Sequence, residues 1–143
     1  RLNDSELAES AQIEAASMLD PWSEGELREL MRDRGTVGKA ATIDRALVGY
    51  LVYCLSPLYV EIAAVGVLPD CRGCGIGTAM MAQLLSRLTA RRSLAICDVD
   101  ANALNAQRFL GKVGFVASEV VRSRGAEWYR FTFRRGWPLP GEE

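Results

Sequence analysis

The sequence predicts a mixed α/β fold, and three observations in its central stretch, residues 60–85, lead to that class. Residues 59–67 read YVEIAAVGV, a largely apolar run with the length and β-branched content of one buried strand. A glycine-rich turn follows. After it, large apolar side chains recur every fourth residue, which is the stripe of a helix packed on a sheet: Ile76, Met80, Leu84 and Leu88.

The turn between this strand and this helix carries Gly73, Gly75 and Gly77, which leave the backbone bare where the helix begins. The first N–H groups of a helix have no partner inside it, and with the helix dipole they favour an anion, most often a phosphate. The turn is not a Walker loop, because Thr78 and an alanine follow the last glycine. It is not a dinucleotide fingerprint either, because its glycines are spaced G-x-G-x-G. A glycine turn that serves only a tight strand-to-helix connection is the alternative.

The first part of the chain predicts two helices and a hairpin. Residues 1–19 place apolar side chains among Glu and Ser in a helical pattern. A second helix is expected over residues 23–33, because Ser23 and Glu26 have the spacing of a capping box and Trp22 and Leu27 that of a hydrophobic staple. Strands follow at residues 37–43 and 47–55, joined by a turn at residues 44–45.

The second half predicts a strand at residues 93–99, a helix at 101–112, and an antiparallel pair at 115–122 and 127–134 around Arg124 and Gly125. The tail, residues 136–141, reads as irregular. No internal repeat or boundary interrupts the pattern, so we expect one domain over residues 1–143. Because the chain begins at Arg1 without a methionine, that domain could lack part of a first strand.

Composition narrows the classes of function. The 143 residues are 49% hydrophobic and 24% charged, the balance of a soluble globular protein. The net charge of −1 gives no support for nucleic-acid binding, which usually needs a basic excess. No apolar run approaches the roughly 18 residues that cross a bilayer. We therefore expect a cytoplasmic protein, monomer or homodimer, with neither nucleic acid nor membrane as a partner.

The four cysteines are too scattered for a disulfide framework. Cys71 and Cys74 form half of a zinc or redox motif, but a second pair is missing and the chain contains no histidine, so no metal is expected. The lack of histidine also means that any general base or acid must be a carboxylate, Tyr, Lys, Cys or water.

Three places in the sequence resemble the GNAT N-acetyltransferases. The spacing Arg72-x-x-Gly75-x-Gly77 after a strand is similar to the acetyl-CoA signature of that family, and the helix predicted at 101–112 ends in the residues KVGF (112–115). Pro-Trp-Ser (21–23) resembles its RimI-type, ribosomal-protein-alanine branch. The order of elements is also that of the family. The resemblance implies a GNAT fold, with a central, mostly antiparallel mixed sheet of six to seven strands flanked by about four helices.

The resemblance further implies acetyl-CoA as the cosubstrate. In GNATs the strand before the glycine turn bulges and binds pantetheine and the thioester, and Gly66 within this strand suggests a bulge or a close backbone approach. A glycine that only relieves crowding is the other interpretation. The cofactor-binding residues that follow are Val65, Gly66, Val67, Arg72, Gly73, Cys74, Gly75, Ile76, Gly77, Thr78 and Asn105.

Two carboxylates are candidates for the general base, since a carboxylate in an apolar strand is costly unless it is paired or faces a cleft. Glu61 lies where many GNATs place a general-base glutamate, and Asp98 lies at the position of the RimI-type catalytic glutamate. The usual tyrosine that protonates the leaving thiolate is replaced by Leu110, for which Tyr129, Tyr53 or water could substitute.

The favoured hypothesis is an enzyme that transfers acetyl directly from acetyl-CoA to a primary amine, most simply the α-amino group of a protein N-terminus. The Pro-Trp-Ser loop favours a peptide acceptor, although its capping box explains it equally well. A small-amine acetyltransferase is a second hypothesis. A catalytically weak acyl-CoA-binding module, suggested by Leu110, is a third.

Overall fold

The computed structural model describes residues 2–17, 21–123 and 125–140. Within these ranges the chain forms four α-helices and six strands: α1 (Asp4–Ser17), α2 (Glu24–Leu30), β1 (Thr36–Ile43), β2 (Ala46–Leu55), β3 (Tyr59–Val67), α3 (Ile76–Leu85), β4 (Leu94–Asp100), α4 (Leu104–Lys112), β5 (Val116–Ser123) and β6 (Ala126–Arg134). A 3₁₀ turn, Pro69–Cys71, lies between β3 and α3. No helix in the described part of the chain is long and apolar enough to cross a membrane.

The six strands form one mixed sheet in the order β1-β2-β3-β4-β6-β5. Four of the five contacts between neighbouring strands are antiparallel. The contact between β3 and β4 is parallel, and α3 makes the crossover that a parallel pair requires. The predicted GNAT-type fold, a mostly antiparallel mixed sheet of six to seven strands flanked by about four helices, is confirmed, and the described residues contain six strands and four α-helices.

Each face of the sheet carries its own apolar cluster. On the first face, α3 and α4 pack on strands β2 to β6 through side chains that include Leu51, Ile62, Met81, Leu85, Leu110, Phe131 and Phe133. On the second face, α1 and α2 pack on β2 and β3 through Leu7, Ile13, Leu27, Tyr50, Val52 and Ala64, among others. That second cluster stops at β3, so among the described residues it leaves the second face of β4, β6 and β5 uncovered.

Two local features, a helix cap and a hairpin turn, lie where the sequence predicts them. Ser23 and Glu26 form the predicted capping box, with each side chain bonded to the other's backbone N–H at 3.1 Å. Asp44 and Arg45 form the β1–β2 turn with φ values of 50° and 69°, a left-handed pair that matches the twist of a hairpin.

Some element ends differ from the prediction. Helix α2 ends at Leu30 instead of residue 33, because Arg32 and Asp33 donate to carbonyls three residues back. Helix α4 starts at Leu104 instead of residue 101, because the Asp100 side chain accepts the N–H of residue 102 and turns the chain first. Residues 1, 18 and 19 of the first predicted helix, residue 124 of the last turn and residue 141 of the tail lie outside the described residues.

Candidate active site

Strands β3 and β4 separate soon after they meet. Their ladder consists of three pairs, of which Glu61 with Ile96 is the last. Beyond Glu61, β3 stays paired with β2 as far as Val67, and β4 stays paired with β6 as far as Asp100. The two edges that face each other are therefore left without a neighbouring strand and form a wedge inside the sheet.

The β-bulge of β3 lies at Ala63, not at Gly66. Val52 pairs with Ala64 and Tyr53 pairs with Ile62, so Ala63 is the extra residue. The prediction for Gly66 offered a bulge or a close backbone approach, and the bulge was wrong. The structure supports the other interpretation, a glycine that relieves crowding, because an added Cβ at Gly66 would lie 2.6 to 2.8 Å from Cε1, Oη and Cζ of Tyr50.

A cleft of about 760 Å³ opens from this wedge toward the glycine turn and α4. Most of the sequence-predicted cofactor residues line it, from β3 through the turn into α3 and α4: Val65, Gly66, Val67, Arg72, Gly73, Gly75, Ile76, Gly77, Thr78 and Asn105. Cys74 is absent from this lining and is exposed. Among lining residues that the cofactor prediction did not include are Cys71, Leu104 and Phe109. The strongly one-sided polarity of α4 was the signal that could have located Phe109.

The start of α3 has the geometry of an anion site. Gly75 caps the helix in the left-handed region with φ 82°, Gly73 has φ 80°, and no side chain caps the helix N-terminus. A Cβ built on either glycine would meet nothing within 4 Å, so the space above the turn is open. Arg72 donates from Nε to the Val67 carbonyl at 3.2 Å and ties the turn to the end of β3. Backbone N–H groups with open space before them fit a phosphate group.

The α3–α4 contact shapes one wall of the cleft. A Cβ at Gly77 would come within 3.1 Å of Cε1 of Phe109, so only a residue without a side chain lets the helices approach this closely. Lys112 and Arg108, both exposed, lie at the same wall and bring positive charge to it.

The two candidate bases lie on the second face of the sheet. Val60 and Ile62 belong to the cluster on the first face, so Glu61 between them points to the second. It is exposed and sits at the last β3–β4 pair, where the wedge begins. Cys97 and Val99 likewise place Asp98 on the second face.

Asp98 is held by an arginine from the next strand. Arg130 donates from Nε and Nη2 to the two Asp98 oxygens at 2.8 and 2.9 Å, and from Nη1 to Glu119 at 2.7 Å. The bond to Asp98, followed by the charges of both acids, raises the pKa of Arg130. Both oxygens of Asp98 are thus occupied, whereas Glu61 is exposed to solvent.

Four further side chains bear on proton transfer. Leu110 is 2% exposed and packs in the core, so it neither reaches the cleft nor donates. Tyr53 is buried in the same cluster, whereas Tyr129 is half-buried beside it. Burial raises the pKa of Cys97 to about 12, with smaller contributions from Asp98 and Glu61, so this thiol stays protonated near neutral pH.

The Pro-Trp-Ser loop reaches the same strand from the second face. The Trp22 indole Nε1–H donates to the carbonyl of Ala63, the bulged residue, at 3.1 Å. Residues 21–23 are thereby attached to β3 beside the wedge. No group of three or more His, Cys, Asp or Glu side chains that could hold a metal occurs in the described ranges.

Comparison with known proteins gives a family and a fold. The model of the acetyltransferase (GNAT) family matches residues 6–115. No curated protein matches the sequence.

Several solved structures share the fold over nearly their whole length. The ribosomal-protein-S18-alanine N-acetyltransferase of Escherichia coli has a TM-score of 0.79 at 16% identity, covering 99% of this chain and 96% of that one. Arabidopsis thaliana Naa50, in complex with the bisubstrate analogue CoA-Ac-MVNAL, has 0.72 at 19% identity, with coverages of 92% and 94%. Arabidopsis thaliana NAA60, in complex with acetyl-CoA, has 0.73 at 16% identity, with coverages of 93% and 95%. At these identities the likeness concerns the fold.

Proposed function

The chain belongs to the acetyltransferase (GNAT) family, and on that premise we propose that it transfers acetyl from acetyl-CoA to the α-amino group of a protein N-terminus. The observation that carries the proposal is the continuity of the cleft. It runs from an uncapped glycine turn that fits phosphate to an unpaired strand edge that fits an amide-bearing chain. A pantetheine arm with a diphosphate at one end has this sequence of groups.

Each part of the chemistry has a candidate group in this chain. Acetyl-CoA supplies the acetyl group as a thioester. The backbone edge of Val65 to Val67 that faces the wedge would bind the carbonyl oxygen and stabilise the oxyanion that forms on it. The amine must lose a proton, since an α-ammonium group with a pKa of about 8 is no nucleophile.

We assign the proton transfer from the amine to Glu61, directly or through water. It is exposed at the apex of the wedge, and no arginine among the described residues holds its side chain as Arg130 holds that of Asp98. Asp98 and Arg130 then form part of the sheet surface beside the acceptor. The thiolate takes its proton from Tyr129 or from water, and a Tyr129→Phe variant decides between the two.

Two observations favour a peptide acceptor over a small amine. The Trp22 loop is attached to β3 beside the wedge, on the face where Glu61 lies. Two of the structural relatives are described as acting on a protein alanine or as bound to a peptide analogue. A small-amine acetyltransferase remains the second candidate.

The proposal is tested by calorimetric titration with acetyl-CoA, followed by thiol release with an Ala-initiated peptide. The matched controls are the same peptide with a blocked N-terminus and a polyamine. The proposal is supported if the protein binds acetyl-CoA and releases CoA thiol only in the presence of the peptide with the free N-terminus. Release with the polyamine and not with the peptide replaces it with the second candidate. A protein that does not bind acetyl-CoA refutes it.

The base assignment is tested with Glu61→Gln and Asp98→Asn. We expect the first to lose about 100-fold in kcat, the lower end of what a positioned base contributes. The second should keep kcat within a few-fold of the wild-type value, because both oxygens of Asp98 accept hydrogen bonds from Arg130. The reverse order of effects would move the base to Asp98.

A further inference from the structure

A buried polar group joins α1 to the centre of the sheet. The side chain of Glu14 is 2% exposed and that of Tyr50 is fully buried, in a cluster that is otherwise mostly apolar. The Tyr50 hydroxyl donates to one Glu14 oxygen, and the Trp22 backbone N–H donates to the other at 3.3 Å. A buried carboxyl is costly unless its oxygens are bonded, and both of these are.

The buried group of Glu14, Tyr50 and Trp22 contacts β3 at two points. The indole of Trp22 bonds the carbonyl of Ala63, and the ring of Tyr50 lies against Gly66, its cross-strand partner. Both contacts come from the second face and from β2. The opposite edge of β3 faces the wedge and has no strand beside it.

The segment from 63 to 66 thus depends on these contacts for its position. An ordinary inner strand is fixed by ladders on both edges, but here one ladder is missing and a bulge loosens the other. Catalytic backbone donors need placement to within about half an ångström. The bond from Trp22 also satisfies the carbonyl that the bulge leaves free of the β2 ladder.

We propose that Glu14 is a positioning residue, which through Tyr50 and Trp22 holds residues 63–66 and the Pro-Trp-Ser loop (residues 21–23) in one fixed arrangement. The proposal rests on the proposed function, since it assigns the positioned strand to the thioester. It implies that the Pro-Trp-Ser loop and β3 move as one unit. Loosening either one should therefore reduce turnover more than acetyl-CoA binding, because the phosphate turn does not belong to this group.

Two variants cut the arrangement at different bonds. In Glu14→Gln, one oxygen remains where two accepted bonds, so Tyr50 and Trp22 cannot both donate as before. In Trp22→Phe, the bond to Ala63 is lost while the ring and the backbone N–H remain. We expect kcat with an Ala-initiated peptide to fall about tenfold in each, and the acetyl-CoA Kd to stay within twofold.

Two controls on the same helix separate positioning from general destabilisation. Ser10 is fully buried one turn before Glu14 and has no hydrogen-bond partner among the described residues, so Ser10→Ala should keep the wild-type kcat. Ile13→Val removes one buried methylene and should lower stability without lowering kcat. The proposal is overturned if Glu14→Gln and Trp22→Phe keep the wild-type kcat, or if Ile13→Val loses as much as they do.

Hydrogen exchange gives a second readout that needs no turnover. In the ligand-free protein, amides of residues 63–67 should exchange about tenfold faster in Glu14→Gln and Trp22→Phe than in the wild type, and unchanged in Ser10→Ala. If the wild type releases no thiol, the proposed function fails and the exchange rates still decide on the positioning role. Equal rates in all four proteins would refute it.

Discussion

Placing a carboxylate on the glycine turn is the most direct challenge to the proposed cofactor site. We expect Gly75→Asp to weaken acetyl-CoA binding, because its side chain would enter the open space where the diphosphate is expected. A unit charge about 4 Å from another costs about 1 kcal/mol in water and about 4 kcal/mol at the effective dielectric near a protein surface. Each 1.4 kcal/mol is a factor of ten, so Kd should rise roughly 5- to 700-fold.

The chain contains a matched control for this change. Gly125, in the turn between β5 and β6, has φ 78° against 82° for Gly75, and a Cβ there also meets nothing within 4 Å. Gly125→Asp therefore introduces a similar backbone strain and the same charge two strands away from the wedge. Calorimetry should find its acetyl-CoA Kd unchanged, and added salt should narrow the gap between the two variants. If both variants bind within twofold of the wild type, no phosphate lies at the start of α3.

Three further predictions concern the strand, the base and the buried acid. Gly66→Ala should destabilise the protein by about 1–3 kcal/mol in urea denaturation, because the new methyl group collides with the Tyr50 ring; an unchanged midpoint would mean that the ring can move away. Glu61→Gln should lower kcat across the whole pH–rate profile, and a profile that coincides with that of the wild type would place the base elsewhere. Burial raises the pKa of Glu14, so its contribution to stability is complete below the unfolded pKa and declines as pH rises through the folded one. Urea denaturation between pH 4 and pH 8 should show this decline relative to Glu14→Gln, and parallel curves would contradict it.

The features that the sequence predicted well are those determined by neighbours along the chain. The glycine turn, the capping box at Ser23 and the hairpin at residues 44–45 each depend on four to six consecutive residues. The strand before the glycine turn follows from its length and β-branched residues, and the helix after the turn follows from the period of its apolar side chains. These local signals were enough to order the elements and so to suggest the fold.

The features that the sequence could not predict depend on register and on distant partners. The bulge lies at Ala63 because of how β2 aligns with β3, and no property of Gly66 reveals that alignment. Asp98 looked like a free carboxylate in an apolar strand, but its partner Arg130 is 32 residues away. The pairing of Glu14 with Tyr50 spans 36 residues, and each residue alone looks like an ordinary member of its element.

The three-pair ladder between β3 and β4 has a consequence for the mechanics of the protein. Most sheets keep their unpaired edges on the outside, where they must be protected from other chains. This sheet has two additional edges in its interior. Its two halves, β1-β2-β3 and β4-β6-β5, are therefore joined by backbone hydrogen bonds only at one end. A bound chain with amide groups would act as an inserted strand and complete the hydrogen bonding of both halves. Occupation of the wedge should therefore make unfolding more cooperative, and not only shift its midpoint.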